Sequence, residues 1–191
     1  MFTVPLPERP ETDWLAQLQV MAQQQPLSYL HFWGHAERAG TLTRACLSQW
    51  YPAPFVVAGV RYATAEHWMM AAKARCFDPA AVSAILTAPD PAAAKALGRA
   101  VRQFDAEVWQ RMRFDVVVQG NLAKFSQNPA LRDFLLNTGE KILVEASPHD
   151  RIWGVGLDEH APEAHDPARW RGLNLLGFAL MQVRSQLRQG R

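Results

Sequence analysis

A glutamate and a lysine stand seven positions apart in Ala65-Glu-His-Trp-Met-Met-Ala-Ala-Lys-Ala-Arg75, a run that otherwise reads as a helix apolar almost all round. At about 100° per residue, seven positions bring Lys73 to within roughly 20° of Glu66, two turns further on, in one stripe with Met70 and Phe77. A carboxylate and an ammonium on a buried helix must find partners or shift their pKa values, which is the condition of groups that line a cavity. There the carboxyl can move protons and a desolvated amine can act as a nucleophile. The structural alternative is that Glu66 accepts backbone donors while Lys73 extends its stem to water. The spacing alone leaves both open.

A second carboxylate is carried by Ser147-Pro-His-Asp-Arg-Ile-Trp-Gly-Val-Gly156. This segment follows a strand-like run, and its two glycines would let the backbone approach a ligand closely. Asp150 is therefore a candidate site residue, although the commoner fate of Asp after Ser-Pro is to close an Asx turn. Trp50, Trp68, Trp109 and Trp153 offer flat faces for stacking a base, in a chain with seven tryptophans among 191 residues. Arg61, Lys95, Arg99 and Lys124 are candidate phosphate ligands, Arg through its planar fork and Lys as a point charge. The six histidines show no HxH or HExxH spacing, and Cys46 and Cys76 have no CxxC or CxxH neighbours, so no metal and no structural zinc is expected. Cys76 has no base beside it and reads as a small core residue.

These groups need a scaffold, and its elements are marked by caps and prolines. Pro5, Pro7 and Pro10 make the first ten residues extended or irregular, and Thr12 or Asp13 then starts a helix through about Gln25. Phe55 to Tyr62 is rich in β-branched and aromatic residues around a central Ala-Gly and predicts a small hairpin. Thr64 caps the helix of Glu66 and Lys73. Further helices are predicted from Pro79 to about Leu86, from Asp90-Pro91 through Ala100 to Gln103, from Glu107 to Phe125, and from Pro129 to Thr138 with Gly139 as a left-handed stop. Lys141 to Ala146 suits a buried strand, residues 158 to 169 read as an exposed polar loop, and about Leu173 to Arg188 closes the chain as a helix. The fold class is α+β: one mainly helical domain, residues 29 to 191, with a small sheet and an N-terminal extension over residues 1 to 28.

Bulk properties bound the function. With 49% hydrophobic residues the chain can bury a continuous core, and its formal charge of +2 comes from scattered Lys and Arg rather than a basic run. That argues against a dedicated duplex-binding protein. No basic segment precedes an apolar stretch at the N-terminus and no stretch of about eighteen apolar residues exists, so no membrane partner and a cytoplasmic, reducing location are expected.

Taken in order, Leu47-Ser-Gln-Trp-Tyr-Pro-Ala-Pro-Phe55, Tyr62-Ala-Thr-Ala-Glu-His-Trp68, Lys73-Ala74, Ala94-Lys-Ala-Leu-Gly-Arg99, Phe104-Asp105 with Trp109, Lys124-Phe125, Ser147-Pro-His-Asp150, Trp153-Gly154 and Gly172-Leu-Asn-Leu-Leu-Gly177 resemble the NADAR or YbiA-like family, from about Leu30 to Leu187. The resemblance implies the YbiA-like fold and an N-glycosidase that cleaves ribosylamino-pyrimidine phosphates, intermediates of riboflavin biosynthesis. It makes Glu66, Lys73 and Asp150 the catalytic candidates. Phe32, Ser48, Gln49, Trp50, Arg61, His67, Arg99, Trp109, Lys124, Trp153, Gly154 and Asn174 become candidates for binding a phosphorylated, nucleotide-like small molecule. The family's Leu-Ser-Asn-Phe reads Leu47-Ser-Gln-Trp50 here, and Phe32-Trp-Gly-His35 is a variant start.

The implied chemistry starts from the exocyclic nitrogen of the riboside, whose lone pair can open the furanose to an imine onto which Lys73 exchanges, with Glu66 shuttling protons and Asp150 holding the ribose hydroxyls or a developing cation. The competing route is direct displacement through an oxocarbenium-like state, in which Lys73 only binds phosphate. Two other functions use the same residues: an ADP-ribosyl hydrolase that frees guanine in nucleic acid or nucleotides, and a non-catalytic sensor of an ADP-ribose-like nucleotide.

Overall fold

Thr64 begins the central element: its side chain accepts from the backbone N–H of His67 and starts α2 (Ala65–Phe77) in the computed structural model, which describes residues 11–36 and 41–190. α3 (Val82–Leu86), α4 (Pro91–Arg99) and α5 (Ala106–Gln127) pack against α2, α6 (Pro129–Asn137) and α7 (Leu175–Gln189) pack on α5, and α1 (Glu11–Gln24) lies against the turn at 167–169. Proline in the first turn opens α4 and α6, and the Asp90 and Asp105 side chains cap α4 and α5. Gly139 stops α6 with φ +60°. The reading of residues 1 to 10 as extended lies outside the described residues.

Among the described residues, two pairs of strands make up the sheet content. β2 (Phe55–Val57) and β3 (Val60–Tyr62) form the antiparallel hairpin, with Phe55 opposite Tyr62, and both residues of its turn, Ala58 at φ 49° and Gly59 at φ 76°, are left-handed. The other pair is parallel: β1 (Tyr29–Phe32) runs beside β4 (Ile142–Glu145), Phe32 opposite Glu145. No sequence signal pointed to β1. Four residues are too few to show a period, and the partner strand is separated from it by α2 to α6.

The core gathers on α2, which is buried on nearly all sides as its composition requires. Trp68 is fully buried and donates its indole N–H to Val116 O at 2.6 Å on α5. It fits because Gly120 faces it; a Cβ there would overlap the indole ring. Gly98 lets α4 approach Met70 in the same way. We expect Gly120→Ala to cost about 1–3 kcal/mol, roughly 2–4 °C of Tm per kcal/mol, because the indole is rigid and hydrogen-bonded. Gly98→Ala should cost less, since the methionine thioether can move aside. Equal melting temperatures for the Gly120 variant and the parent would refute that packing.

Two segments pack more closely than their composition suggests. In α1, Leu18 is buried and Trp14 stacks on Phe114 with ring centroids 4.1 Å apart, so the helix docks on α5. Residues 158 to 169, expected as an exposed loop, instead form two short 3-10 turns around a fully buried Ala164, whose carbonyl accepts from the Trp170 indole N–H at 2.9 Å. Among the described residues, no helix is long and apolar enough to cross a membrane.

Candidate active site

The site is built where the loop before the hairpin meets α2 and α5. Lys124, on α5 and completely buried, donates from Nζ to Cys46 O at 2.7 Å and to Ser48 O at 2.8 Å. Burial pulls its pKa down to about 7. The backbone N–H of Glu66 donates to Gln49 O at 3.0 Å, so this loop is fixed to two helices at once. Asn121 Nδ2 donates to both Val117 O at 2.9 Å and Gln49 Oε1 at 2.7 Å. The Gln49 Nε2 donor is buried with no partner among the described residues.

From there a cavity of about 480 Å³ opens, with Glu66, Glu145 and Asp150 as its acidic groups and Lys73, Lys95, Arg99 and Arg113 as its basic ones. Trp50, Trp109, Trp153 and Phe104 supply aromatic surface. A volume in this range suits a small organic ligand. Among the described residues, no group of three or more His, Cys, Asp or Glu is arranged to hold a metal ion.

Glu66 is 2% exposed, and burial pushes its pKa up to about 7; Lys95, a hydrogen bond from the Trp50 side chain and Arg99 pull it down, while Asp150 adds to the rise. Its Oε1 is buried with no partner among the described residues. Such a carboxyl exchanges its proton near neutral pH. Lys73 Nζ donates to Gly98 O at 2.8 Å and lies 4.0 Å from the Phe104 ring centroid. Burial, then the nearby Arg99, lowers its pKa. Asp150 closes a turn and also lines the cavity. Its Oδ1 accepts from Ile152 N at 2.9 Å and Trp153 N at 2.8 Å, closing the Asx turn, and the turn presents the residue to the cavity.

Of the residues singled out in the sequence, Glu66, Lys73, Asp150, Ser48, Gln49, Trp50, Arg99, Trp109 and Trp153 line this cavity together, and Lys95 joins them. Six proposed ligand-binding residues do not. Phe32 is fully buried in the apolar core on β1. Arg61 is exposed on the hairpin. His67 is consumed by Thr64 Oγ1 at 2.8 Å and Ala88 O at 3.1 Å. Lys124 fixes the loop from behind. Gly154 approaches the chain rather than a ligand, since a Cβ there would lie 2.8 Å from Glu145 O and 3.0 Å from Asp150 O. Asn174, left-handed at φ 55°, braces β4 by donating to Leu143 O at 2.9 Å and accepting from Glu145 N at 3.0 Å. Trp68 belongs to the core. Glu145 and Arg113 escaped the sequence reading. A carboxylate at the end of the otherwise apolar strand run was the available signal, because the period of two puts Glu145 on the same face as buried Leu143.

The sequence profile of the NADAR domain matches residues 31–188. An N-glycosidase of Acanthamoeba polyphaga mimivirus is 43% identical over 148 residues, which is 74% of this chain and 87% of that protein. A riboflavin biosynthesis protein of Vibrio vulnificus is 34% identical over 144 residues, 75% of this chain and 35% of its own length. The NMR structure of the E. coli protein YbiA superposes with a TM-score of 0.69 at 27% identity, covering 85% of this chain and 86% of that one.

Proposed function

This chain belongs to the NADAR domain family, and from that premise we propose that it is an N-glycosidase that hydrolyses ribosylamino-pyrimidine phosphates. The observation that carries the reading is the meeting of Glu66 and Lys73 in one cavity with a third ionisable group, Asp150, and with flat aromatic walls. Similarity to proteins named N-glycosidase and riboflavin biosynthesis protein supports the same class of bond and substrate. All the lining residues fall within residues 29–191, the segment to which we assign the activity.

In the proposed sequence, the lone pair of the exocyclic nitrogen forms C1′=N⁺ as the C1′–O4′ bond breaks, and the protonated Glu66 carboxyl gives its proton to O4′. Neutral Lys73 Nζ adds to C1′. The Glu66 carboxylate takes a proton from Nζ and passes it to the base nitrogen, the C1′–N bond to the base breaks, and the amino-pyrimidine leaves. Water then hydrolyses the protonated Lys73 imine to ribose 5-phosphate and the free amine, and the proton released returns to the Glu66 carboxylate. A carboxyl with a pKa of about 7 suits this double duty, because donor and acceptor forms are both abundant near neutrality. Burial of Lys73 and the neighbouring Arg99 favour the neutral, nucleophilic amine. In this reading Arg99 and Arg113, which line the cavity, hold the phosphate, and Trp50, Trp109 and Trp153 stack the base.

The test is incubation with a panel of ribosylamino-pyrimidine phosphates and ADP-ribosylated guanine, with and without borohydride. Release of ribose phosphate supports the reading; release of ADP-ribose alone would replace it with the hydrolase that acts on modified guanine. Under turnover, borohydride should fix a reduced ribose phosphate on the peptide that contains Lys73, and Lys73→Arg should abolish both adduct and turnover. Turnover without any adduct would leave displacement through an oxocarbenium-like state.

A further inference from the structure

The backbone of Glu145 is fixed from several sides. Its residue pairs with Phe32 across the parallel strands, its N–H donates to Asn174 Oδ1 at 3.0 Å, and its carbonyl accepts from Val155 N at 2.9 Å. Gly154 is required beside it, as a Cβ there would meet that carbonyl at 2.8 Å. Three independent elements therefore fix the backbone from which the side chain enters the cavity. Its Oε2 is buried and has no hydrogen-bond partner among the described residues. An unpaired buried carboxyl oxygen costs roughly 1–3 kcal/mol, so a carboxyl kept at a half-buried position of the cavity wall points to a use in ligand contact.

We propose that Glu145 is a substrate-contacting residue whose carboxyl group hydrogen bonds to an oxygen of the bound ribose, deepening the N-glycosidase reading on which the identity of the sugar rests. The groups that face it are Glu66 from α2, Asp150 from the loop after β4, and Lys95 from α4. Lys73, Arg99 and Arg113 line the same cavity. Burial, then Asp150 and Glu66, raise its pKa to about 8 against the pull of Lys95. Near neutral pH the uncharged carboxyl can donate O–H to a sugar oxygen, whereas the carboxylate could only accept from a sugar hydroxyl and would add a third negative charge beside Glu66 and Asp150 against an anionic sugar phosphate.

Ribose 5-phosphate, the sugar product of the proposed cleavage, is the probe. Calorimetric affinity is measured between pH 7 and 9 for the parent protein, Glu145→Gln and Glu145→Ala, with cleavage of the substrate panel followed in parallel. The parent should bind the probe and weaken as pH rises through about 8. Glu145→Gln, which keeps a neutral donor, should bind within about threefold of the parent at pH 7 and lose that weakening, whereas Glu145→Ala should bind about tenfold or more weakly. Unchanged affinity of the alanine variant overturns the contact, as does a parent protein that binds no ribose 5-phosphate. A glutamine variant that weakens with pH like the parent overturns the donor role. If the parent binds the probe with these dependences yet cleaves nothing in the panel, the N-glycosidase reading fails and the Glu145 contact stands.

Discussion

Glu66→Gln should lower kcat/KM by about 10²–10⁴-fold while ligand affinity changes little, because glutamine keeps the size and hydrogen bonding of the side chain and removes only its proton transfer. The pH profile of the parent should bend near pH 7, where this carboxyl titrates, and the bend should vanish from the residual activity of the variant. Stability should move the other way. With the folded pKa near 7 and the ordinary value at 4.5, the native state binds more protons than the unfolded chain between these limits, so parent stability falls as pH rises from about 4.5 to about 7. Glutamine escapes that loss, and at pH 8 the variant should be more stable than the parent by an amount on the order of a few kcal/mol and so melt higher. An inactive protein with raised Tm cannot be explained by unfolding. Full turnover by the variant would show that Glu66 is not the proton shuttle, whereas tight nucleotide binding with unchanged kinetics and no cleavage by either protein would favour a nucleotide sensor.

Lys124→Met should be the most damaging single change away from the reacting groups. The ammonium is completely buried and joins α5 to Cys46 O and Ser48 O, the loop that carries Gln49 and Trp50 to the cavity. Methionine fills much of the space but leaves two carbonyls without donors, which should cost about 2–5 kcal/mol and lower Tm accordingly. Activity of the folded fraction should also drop, since Gln49 and Trp50 lose their support. The sign of the pH dependence gives a further check. Because the folded pKa is about 7 against an ordinary 10.5, the unfolded chain binds more protons between those values, and this residue makes the parent more stable as pH rises through that range. The variant lacks that gain, so its deficit should widen toward alkaline pH. A constant deficit would mean that Lys124 remains charged when buried.

How far the sequence reached differs by kind of residue. The helices and the hairpin were legible because caps, prolines and periodicity act within a few residues of each element, as at Thr64, Asp90-Pro91 and Gly139. Strand β1 was not, since a four-residue edge acquires its meaning only from β4, far away in the chain. Lys124, His67 and Asn174 looked like ligand-binding residues for a related reason. Buried polar side chains need partners, and nothing in the sequence tells whether a partner is a ligand or a backbone carbonyl. Here Lys124 donates to two carbonyls of the loop, His67 sits between Thr64 and Ala88, and Asn174 braces β4.

By itself the sequence determined that Glu66 and Lys73 share a stripe of an apolar helix, because helical geometry places residues seven apart on one side whatever surrounds them. It also determined the Asx turn that orients Asp150. Only the tertiary structure decided that α4, α5 and the end of β4 close around that stripe, which burial made of each charge, and that Glu145 completes the acidic side of the cavity. Desolvation and Coulomb interaction depend on distance through space rather than along the chain, so the chemistry of these side chains became readable only once their neighbours were in place.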